Sequence, residues 1–218
     1  MPKQFDLLIF DWDGTLMDSA AVIVDSIQRA CEDIGLAAPS DRASRQIIGL
    51  GLIQALQTLL PGLPADDYPR LVERYRHHYL GRDDQIPLFA GVDRGIRELH
   101  ASGFTLAVAT GKSRLGLSRA LDSSGLASWF AATRCADQTH SKPHPAMVLE
   151  LIAELDADPA RTLVIGDTSH DLLMAASAGV ASLGVTYGAH EVGDLHPHAP
   201  LALMDSFDEV HAWLSANA

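Results

Sequence analysis

The sequence predicts an α/β protein, a doubly wound, mostly parallel Rossmann-like sheet with a small all-α subdomain inserted near its start. Three features carry that prediction. Short apolar, β-favouring runs alternate with helical stretches through residues 92–215, as in a parallel sheet joined by crossover helices. Residues 17–85 interrupt the pattern, with helical stretches and no apparent strand. Three apolar runs also stop abruptly on polar residues: Asp11, Thr110-Gly111-Lys112 and Gly166-Asp167. In a parallel sheet such ends share the carboxyl edge, where the ligand sites of these folds form.

The first run, residues 5–10, has the length and the aromatic and branched content of a strand buried on both faces. Asp11 and Asp13 follow it two apart, so while the chain stays extended they project to one side and Trp12 to the other. Two carboxylates so close repel each other and are costly to desolvate without a cation or a shared proton. A divalent ion meets that need. The plainer alternative is a turn, since Asp13-Gly14 is also a turn dipeptide.

A helix is expected over 18–35, capped by Asp18 or Ser19, with Ile23, Ile27 and Ile34 near one face and Gly35 as its stop. Shorter helices follow at 41–48, 52–60 and 66–80, divided by Gly49, Gly51 and Pro61-Gly62-Leu63-Pro64. Residues 86–92 would return the chain to the sheet. The expected division is therefore a core of 1–16 and 86–218 and a helical insertion of 17–85. Within the core the order is helix 92–102, strand 104–109, helix 113–124, a weak strand 130–134, helix 144–156 and strand 162–165. Then come helix 169–178, strand 180–185, a weaker strand 200–204 and helix 206–215. Right-handed crossovers with helices on both faces are implied.

Hydrophobic residues make up 47% of the 218, ample for a packed core. The formal net charge is -12, and the 16 Lys+Arg form no cluster, which makes nucleic acid and anionic membranes poor partners. An anionic substrate would need local positive charge. Cys31 and Cys135 are far apart and lack metal-ligand spacing, so they are read as buried thiols rather than a zinc site or a disulfide. The opening Pro2-Lys3-Gln4 and the early Asp11 do not fit a signal peptide, and no apolar run reaches the length of a membrane span. The cytoplasm is the expected setting, as a monomer or homodimer.

Four pieces in order, Asp11-Trp12-Asp13-Gly14-Thr15, Thr110, Lys142-Pro143 and Gly166-Asp167-Thr168-Ser169-His170-Asp171, resemble the signature of the haloacid dehalogenase superfamily of phosphohydrolases. The likeness spans nearly the whole chain. It implies a Mg²⁺-dependent phosphatase acting on a small phosphorylated metabolite, with Asp11 as the nucleophile that becomes an aspartyl-phosphate and Asp13 as general acid and base. It further implies that Asp11 and Asp167 bind Mg²⁺ directly, that Asp13 adds its backbone carbonyl, and that Asp171 supports the ion or its waters. Thr110 and the Gly111 amide would hold phosphoryl oxygens, and Lys142 would neutralise the phosphate. The plainer alternatives make Asp167 a helix cap, Asp171 a solvated first-turn acid, Thr110 an N-cap and Lys142 a surface charge.

One position departs from the family, which commonly carries Asn where Gly111 stands. The amide donor survives, but a side-chain contact near the leaving group is lost, which bears on the substrate rather than the reaction. His140, His144 and His170 lie near the motifs and are read as supporting or surface residues.

The place of the insertion resembles the phosphoglycolate phosphatase-like subgroup, whose cap would close over the site and exclude water. Arg45, with Arg42, is the candidate to read an anionic or hydroxylated end of the substrate; a solvated helix face is the alternative. Residues 17–85 contain no lysine, which disfavours a phosphonatase with a cap Schiff base, and Asp13 argues against a dehalogenase. A sugar phosphomutase on the same core and a non-catalytic phosphate-binding or regulatory protein are the alternative functions.

Overall fold

Four consecutive apolar residues, Leu7–Phe10, form the first strand, β1, and all four are buried. A strand apolar at successive positions must be covered on both faces. The computed structural model describes residues 4–217; Ala218 and Met1–Lys3, whose composition entered the reading against a leader, lie outside the described residues.

After β1 the chain forms four helices, α1 (Ala20–Asp33), α2 (Asp41–Arg45), α3 (Leu52–Leu59) and α4 (Tyr68–Leu80). α1 packs along α4, and Ile23, Ile27, Leu56 and Leu71 share a buried cluster with Trp12, Leu16 and Met17. The rest alternates: α5 (Val92–Ala101), β2 (Thr105–Thr110), α6 (Arg114–Ser124), β3 (Ala132–Cys135), α7 (Ala146–Glu154), β4 (Thr162–Gly166), α8 (Ser169–Ala178), β5 (Ala181–Val185), α9 (Val192–Leu195), β6 (Leu203–Met204) and α10 (Phe207–Asn217).

The six strands form one parallel sheet in the order β3-β2-β1-β4-β5-β6. Alternate residues go to opposite faces. Leu8, Phe10, Leu106, Val108 and Ile165 pack with Ile96, Leu117 and Phe207 of α5, α6 and α10. Leu7, Ile9, Ala107, Ala109 and Val164 pack with Met147, Leu151 and Met174 of α7 and α8. Leu7 pairs with Thr105 and Thr162, which puts the starts of β1, β2 and β4 level and brings their carboxyl ends to nearly the same height. The strand order reverses between β1 and β4, the switch point at which doubly wound sheets bind ligands.

Most boundaries fall within a few residues of expectation, and the misses have local causes. The helix expected over 41–48 stops at Arg45, because residues 46–51 turn their backbone polar groups toward the core loops. The one expected over 66–80 begins as a 3-10 turn, Ala65–Asp67, with Pro69 in the first turn of α4. α9 and the 3-10 turn His196–His198 went unforeseen, because three or four residues cannot display a helical period. Cys31 and Cys135 are free and buried, as expected. No helix among the described residues is long and apolar enough to cross a membrane.

Trp12 is fully buried and meets Phe130 edge-on, with ring centroids 6.3 Å apart. Replacing it by alanine should cost about 3–5 kcal/mol, read as a lower midpoint in urea unfolding at unchanged slope. A loss below about 1 kcal/mol would mean that the indole does not support this face of the sheet.

Candidate active site

Asp11 continues β1 and is tied to the next strand by its amide, which donates to the Ile165 carbonyl at 2.9 Å. Its Oδ1 lies 2.7 Å from Lys142 Nζ, and the same Nζ lies 2.6 Å from Asp171 Oδ1. All three side chains are sealed from solvent, Lys142 and Asp171 at 0% exposure and Asp11 at 1%. Lysine is almost never so buried unless paired. The surface-charge reading of Lys142 is thereby excluded.

Asp167 follows β4. Its Oδ1 accepts from Thr15 Oγ1 at 2.8 Å and its Oδ2 from the Ala189 amide at 2.7 Å, so it serves the loops rather than capping a helix. A Cβ on Gly14 would stand 2.1 Å from Asp167 Oδ2, and Gly14 adopts φ +81, so only glycine fits there. Asp171 lies in the first turn of α8 and closes a capping box with Thr168. It is a first-turn acid as the plainer reading had it, but a buried one whose other oxygen faces Lys142.

Two carboxylates thus share one ammonium, with the third, Asp167, close beside them. Burial lifts the Asp11 carboxyl well above the ordinary carboxylate range, with Lys142 opposing and Asp171 and Asp167 adding to it. Burial, then Asp171, pushes Asp167 up to about 7. Burial works against the Lys142 charge, but Asp11 and Asp171 outweigh it and raise its pKa. The cluster is short of positive charge. Asp11 Oδ2 is buried with no hydrogen-bond partner, and single oxygens of Asp11, Asp167 and Asp171 lie within 4.8 Å of one another. An orphaned oxygen in an all-oxygen donor set fits a hard divalent cation such as Mg²⁺.

Asp13 belongs to a second cluster. Its Oδ1 accepts from Ser19 Oγ at 2.6 Å and lies 3.0 Å from Lys112 Nζ. Lys112 Nζ in turn donates to Tyr79 Oη at 2.7 Å and stands 4.7 Å from the centre of that ring. Burial opposes the Lys112 charge, and Asp13 with Tyr79 more than offsets it. The two carboxylates that the sequence suggests as a pair on one cation therefore have separate lysines. Ser19 stands at the N-cap position of α1 yet makes no side-chain cap; its hydroxyl goes to Asp13 instead. Sequence reasoning offered Ser19 only as a helix cap, named Lys112 at a strand end without a role, and missed Tyr79.

Thr110 is the last residue of β2, fully buried, and accepts from the Lys112 amide at 3.2 Å; the N-cap of α6 is Ser113. Residues 46–51 lie directly on the site loops. His170 Nε2 donates to the Gln46 carbonyl at 2.9 Å, and the Gly51 amide donates to Ser141 Oγ at 2.7 Å. A Cβ on Gly111 would stand 2.5 and 2.6 Å from the carbonyl oxygens of Gly49 and Leu50, so the space of the family's asparagine is filled by backbone. His190, also missed, accepts at Nδ1 from the Ser169 amide at 3.1 Å and meets His170 edge-on; burial holds both imidazoles below their ordinary pKa. His140 and His144 stack on each other at the surface, with centroids 4.3 Å apart. Arg45 ends α2 half-buried, while Arg42 is exposed, 3.9 Å from Glu191.

Residues 8–185 match the haloacid dehalogenase-like hydrolase family. The chain belongs to that family, and its named relatives are phosphatases. It is 39% identical over 210 residues to a probable phosphatase, IndB, of Dickeya dadantii, covering 94% of this chain and 91% of that protein. It is 33% identical over 192 residues to the phosphoglycolate phosphatase of Agrobacterium fabrum, covering 85% and 82%. The crystal structure of a predicted phosphoglycolate phosphatase from Haemophilus somnus shares the fold at a TM-score of 0.86 and 27% identity, over 96% and 98% of the two chains. The family and fold expected from the motifs are borne out, and the protein is a phosphatase-type enzyme.

Two predictions follow from this geometry. Gly111→Ala should lift residues 49–51 and speed hydrogen exchange at the Gly51 amide by about tenfold or more; unchanged exchange would show that the segment can yield without leaving Ser141. The second concerns metal and pH. An acid whose folded pKa is raised has its stabilising protonated form fully present below about 4 and loses that contribution as pH rises through about 7, here for Asp167. A divalent cation held by these carboxylates would compete with that proton. The gain in melting temperature on adding Mg²⁺ should therefore grow between pH 6 and 8, and Asp167→Asn should abolish the growth.

Proposed function

We propose that the protein is a Mg²⁺-dependent phosphatase that hydrolyses a small phosphomonoester, phosphoglycolate or a close analogue, through an aspartyl-phosphate on Asp11. The orphaned Asp11 oxygen within a carboxylate cluster short of positive charge carries this reading. Asp11, Asp167 and the Asp13 carbonyl would hold Mg²⁺, with Asp171 supporting it or its waters, and the bound ion would offset the charge of the carboxylates and the phosphate. A carboxylate oxygen of Asp11 attacks phosphorus in line as the ester P–O bond breaks, and Asp13 gives its proton to the departing oxygen. Asp13 then takes a proton from water, which attacks the aspartyl-phosphate, releases phosphate and restores Asp11. Thr110, the Gly111 amide and Lys142 hold the phosphoryl oxygens throughout.

Residues 17–85 act in this reading as a cap on a core of 1–16 and 86–218. The two chain crossings between them run side by side, with the Asp18 amide on the Pro87 carbonyl and the Phe89 amide on the Leu16 carbonyl, both at 3.0 Å, which suits a hinge. The catalytic groups are buried, so a substrate enters only when the cap lifts, and closure then excludes water. Arg45 is assigned the outer end of the substrate. Two unpaired thiols suit a cytoplasmic setting.

The test is phosphate release from a panel of small phosphomonoesters with and without Mg²⁺. Wild-type turnover should require the metal, and Asp11→Asn should lose about a thousandfold or more with its circular dichroism spectrum unchanged. Metal binding without turnover of any ester would favour a binding module; substantial residual activity in Asp11→Asn would contradict the covalent route.

A further inference from the structure

The chain has three lysines, Lys3, Lys112 and Lys142, and the two within the described residues both lie against carboxylates assigned to catalysis, Lys142 fully buried and the Lys112 side chain 8% exposed. Lys142 has a task in the mechanism above. Lys112 has none, yet the fold encloses its ammonium against Tyr79 and Asp13. An ammonium offers three donors. Tyr79 Oη and Asp13 Oδ1 take two, and the third has no partner among the described residues.

Lys112 also lines a cavity of about 310 Å³, together with Met17, Tyr79, Asp83, Arg119 and Ser123. One ammonium thus touches the residue assigned to protonate the leaving oxygen and also borders a cavity that Asp13 itself does not line. Arg119 is engaged with Asp83 at 2.9 Å, and Asp84 and Asp122 add negative charge to the wall. Of the two cations that line this cavity, Arg119 is paired with a lining acid, whereas the carboxylate partner of Lys112, Asp13, lies outside the lining. An anion held close to Asp13 would gain from Lys112.

We propose that Lys112 is the specificity-determining residue for the leaving group, its free N–H binding a carboxylate on the carbon that bears the ester oxygen, so that the preferred substrates are phosphate esters of short 2-hydroxy acids. This rests on the phosphatase reading and adds to it the residue that chooses the ester. In a 2-hydroxy acid ester the carboxylate sits two bonds from the bridging oxygen, close enough to meet Lys112 while that oxygen faces Asp13. Tyr79 fixes the ammonium from α4, so closing the cap and presenting the cation are one event. Arg45, at the end of α2, has no such anchor among the described residues, so for these short esters the outer end assigned to it above passes to Lys112.

Three esters of equal length test the idea: phosphoglycolate, 2-hydroxyethyl phosphate and phosphoethanolamine, which carry an anion, a hydroxyl and an ammonium at the same reach. Wild type should prefer phosphoglycolate to phosphoethanolamine by about a hundredfold in kcat/KM. Lys112→Met should lower kcat/KM for phosphoglycolate by about thirtyfold more than for 2-hydroxyethyl phosphate, with the excess in KM. Lys112→Arg should keep the order of preference, and Tyr79→Phe, which retains the charge but removes its anchor, should narrow the preference about threefold. These two variants decide the matter if Lys112→Met does not fold. Arg45→Ala should lower all three esters alike.

Equal losses on all three esters in Lys112→Met would reduce Lys112 to a support for Asp13 and overturn the proposal. So would a loss confined to phosphoglycolate in Arg45→Ala, or wild-type turnover of 2-hydroxyethyl phosphate at or above that of phosphoglycolate. Failure of wild type on every phosphomonoester of the wider panel would instead remove the phosphatase reading on which the proposal stands.

Discussion

The ammonium of Lys142, set between Asp11 and Asp171 with no access to water, is the contact on which the rest depends. Removing one member of such a group leaves an uncompensated buried charge, at a cost of about 3–5 kcal/mol. Its members come from three places: the end of β1, the loop after β3 and the first turn of α8. They meet only because β1 lies between β2 and β4 in a register that brings the strand ends to nearly the same height. Sheet order, register and the capping box of α8 thus carry electrostatic consequences as well as packing ones. With three carboxylates and one ammonium the cluster remains two positive charges short, a deficit borne by Asp11 and by Asp167, which Thr15 and Ala189 hold.

What was legible in the sequence divides along the range of the interactions. Asp11 and Asp167 announce themselves because a buried strand that stops on a carboxylate is a local pattern, visible without partners. The alternation of strands and helices is likewise local, and the sheet followed from it. Lys142 needed the motif order, since nothing in the loop around it signals burial. The parts played by Ser19 and Tyr79 were invisible: each is an ordinary helix residue until Asp13 and Lys112 arrive from elsewhere in the chain. The early end of α2 belongs with them, for the Gln46 carbonyl goes to His170, 124 positions away.

Gly111 shows how a local departure acquires meaning only in three dimensions. From the sequence it reads as the loss of an amide side chain. In the fold it is a clearance, because the carbonyls of Gly49 and Leu50 approach to where a Cβ would stand. The surface that a side chain would have built from the core is built by backbone from the helical segment. Such a substitution trades a polar group that moves with the core for one that arrives only when residues 46–51 are seated.

The same dependence governs the proton. Asp13 is held by Ser19 at the start of α1 and by Lys112, itself held by Tyr79 near the end of α4. The first and last helices of the inserted segment therefore both reach the carboxylate assigned to general acid catalysis, one directly and one through a lysine. Lifting those helices must alter the surroundings of Asp13, and seating them must restore it. Asp11, by contrast, is held wholly by groups outside that segment: Lys142 and the backbone of β4. In the proposed mechanism the nucleophile would stay poised whatever the helices do, while the acid would be assembled only in a closed arrangement, and a bound ester that failed to hold the segment down would meet Asp11 without a proton for its leaving group.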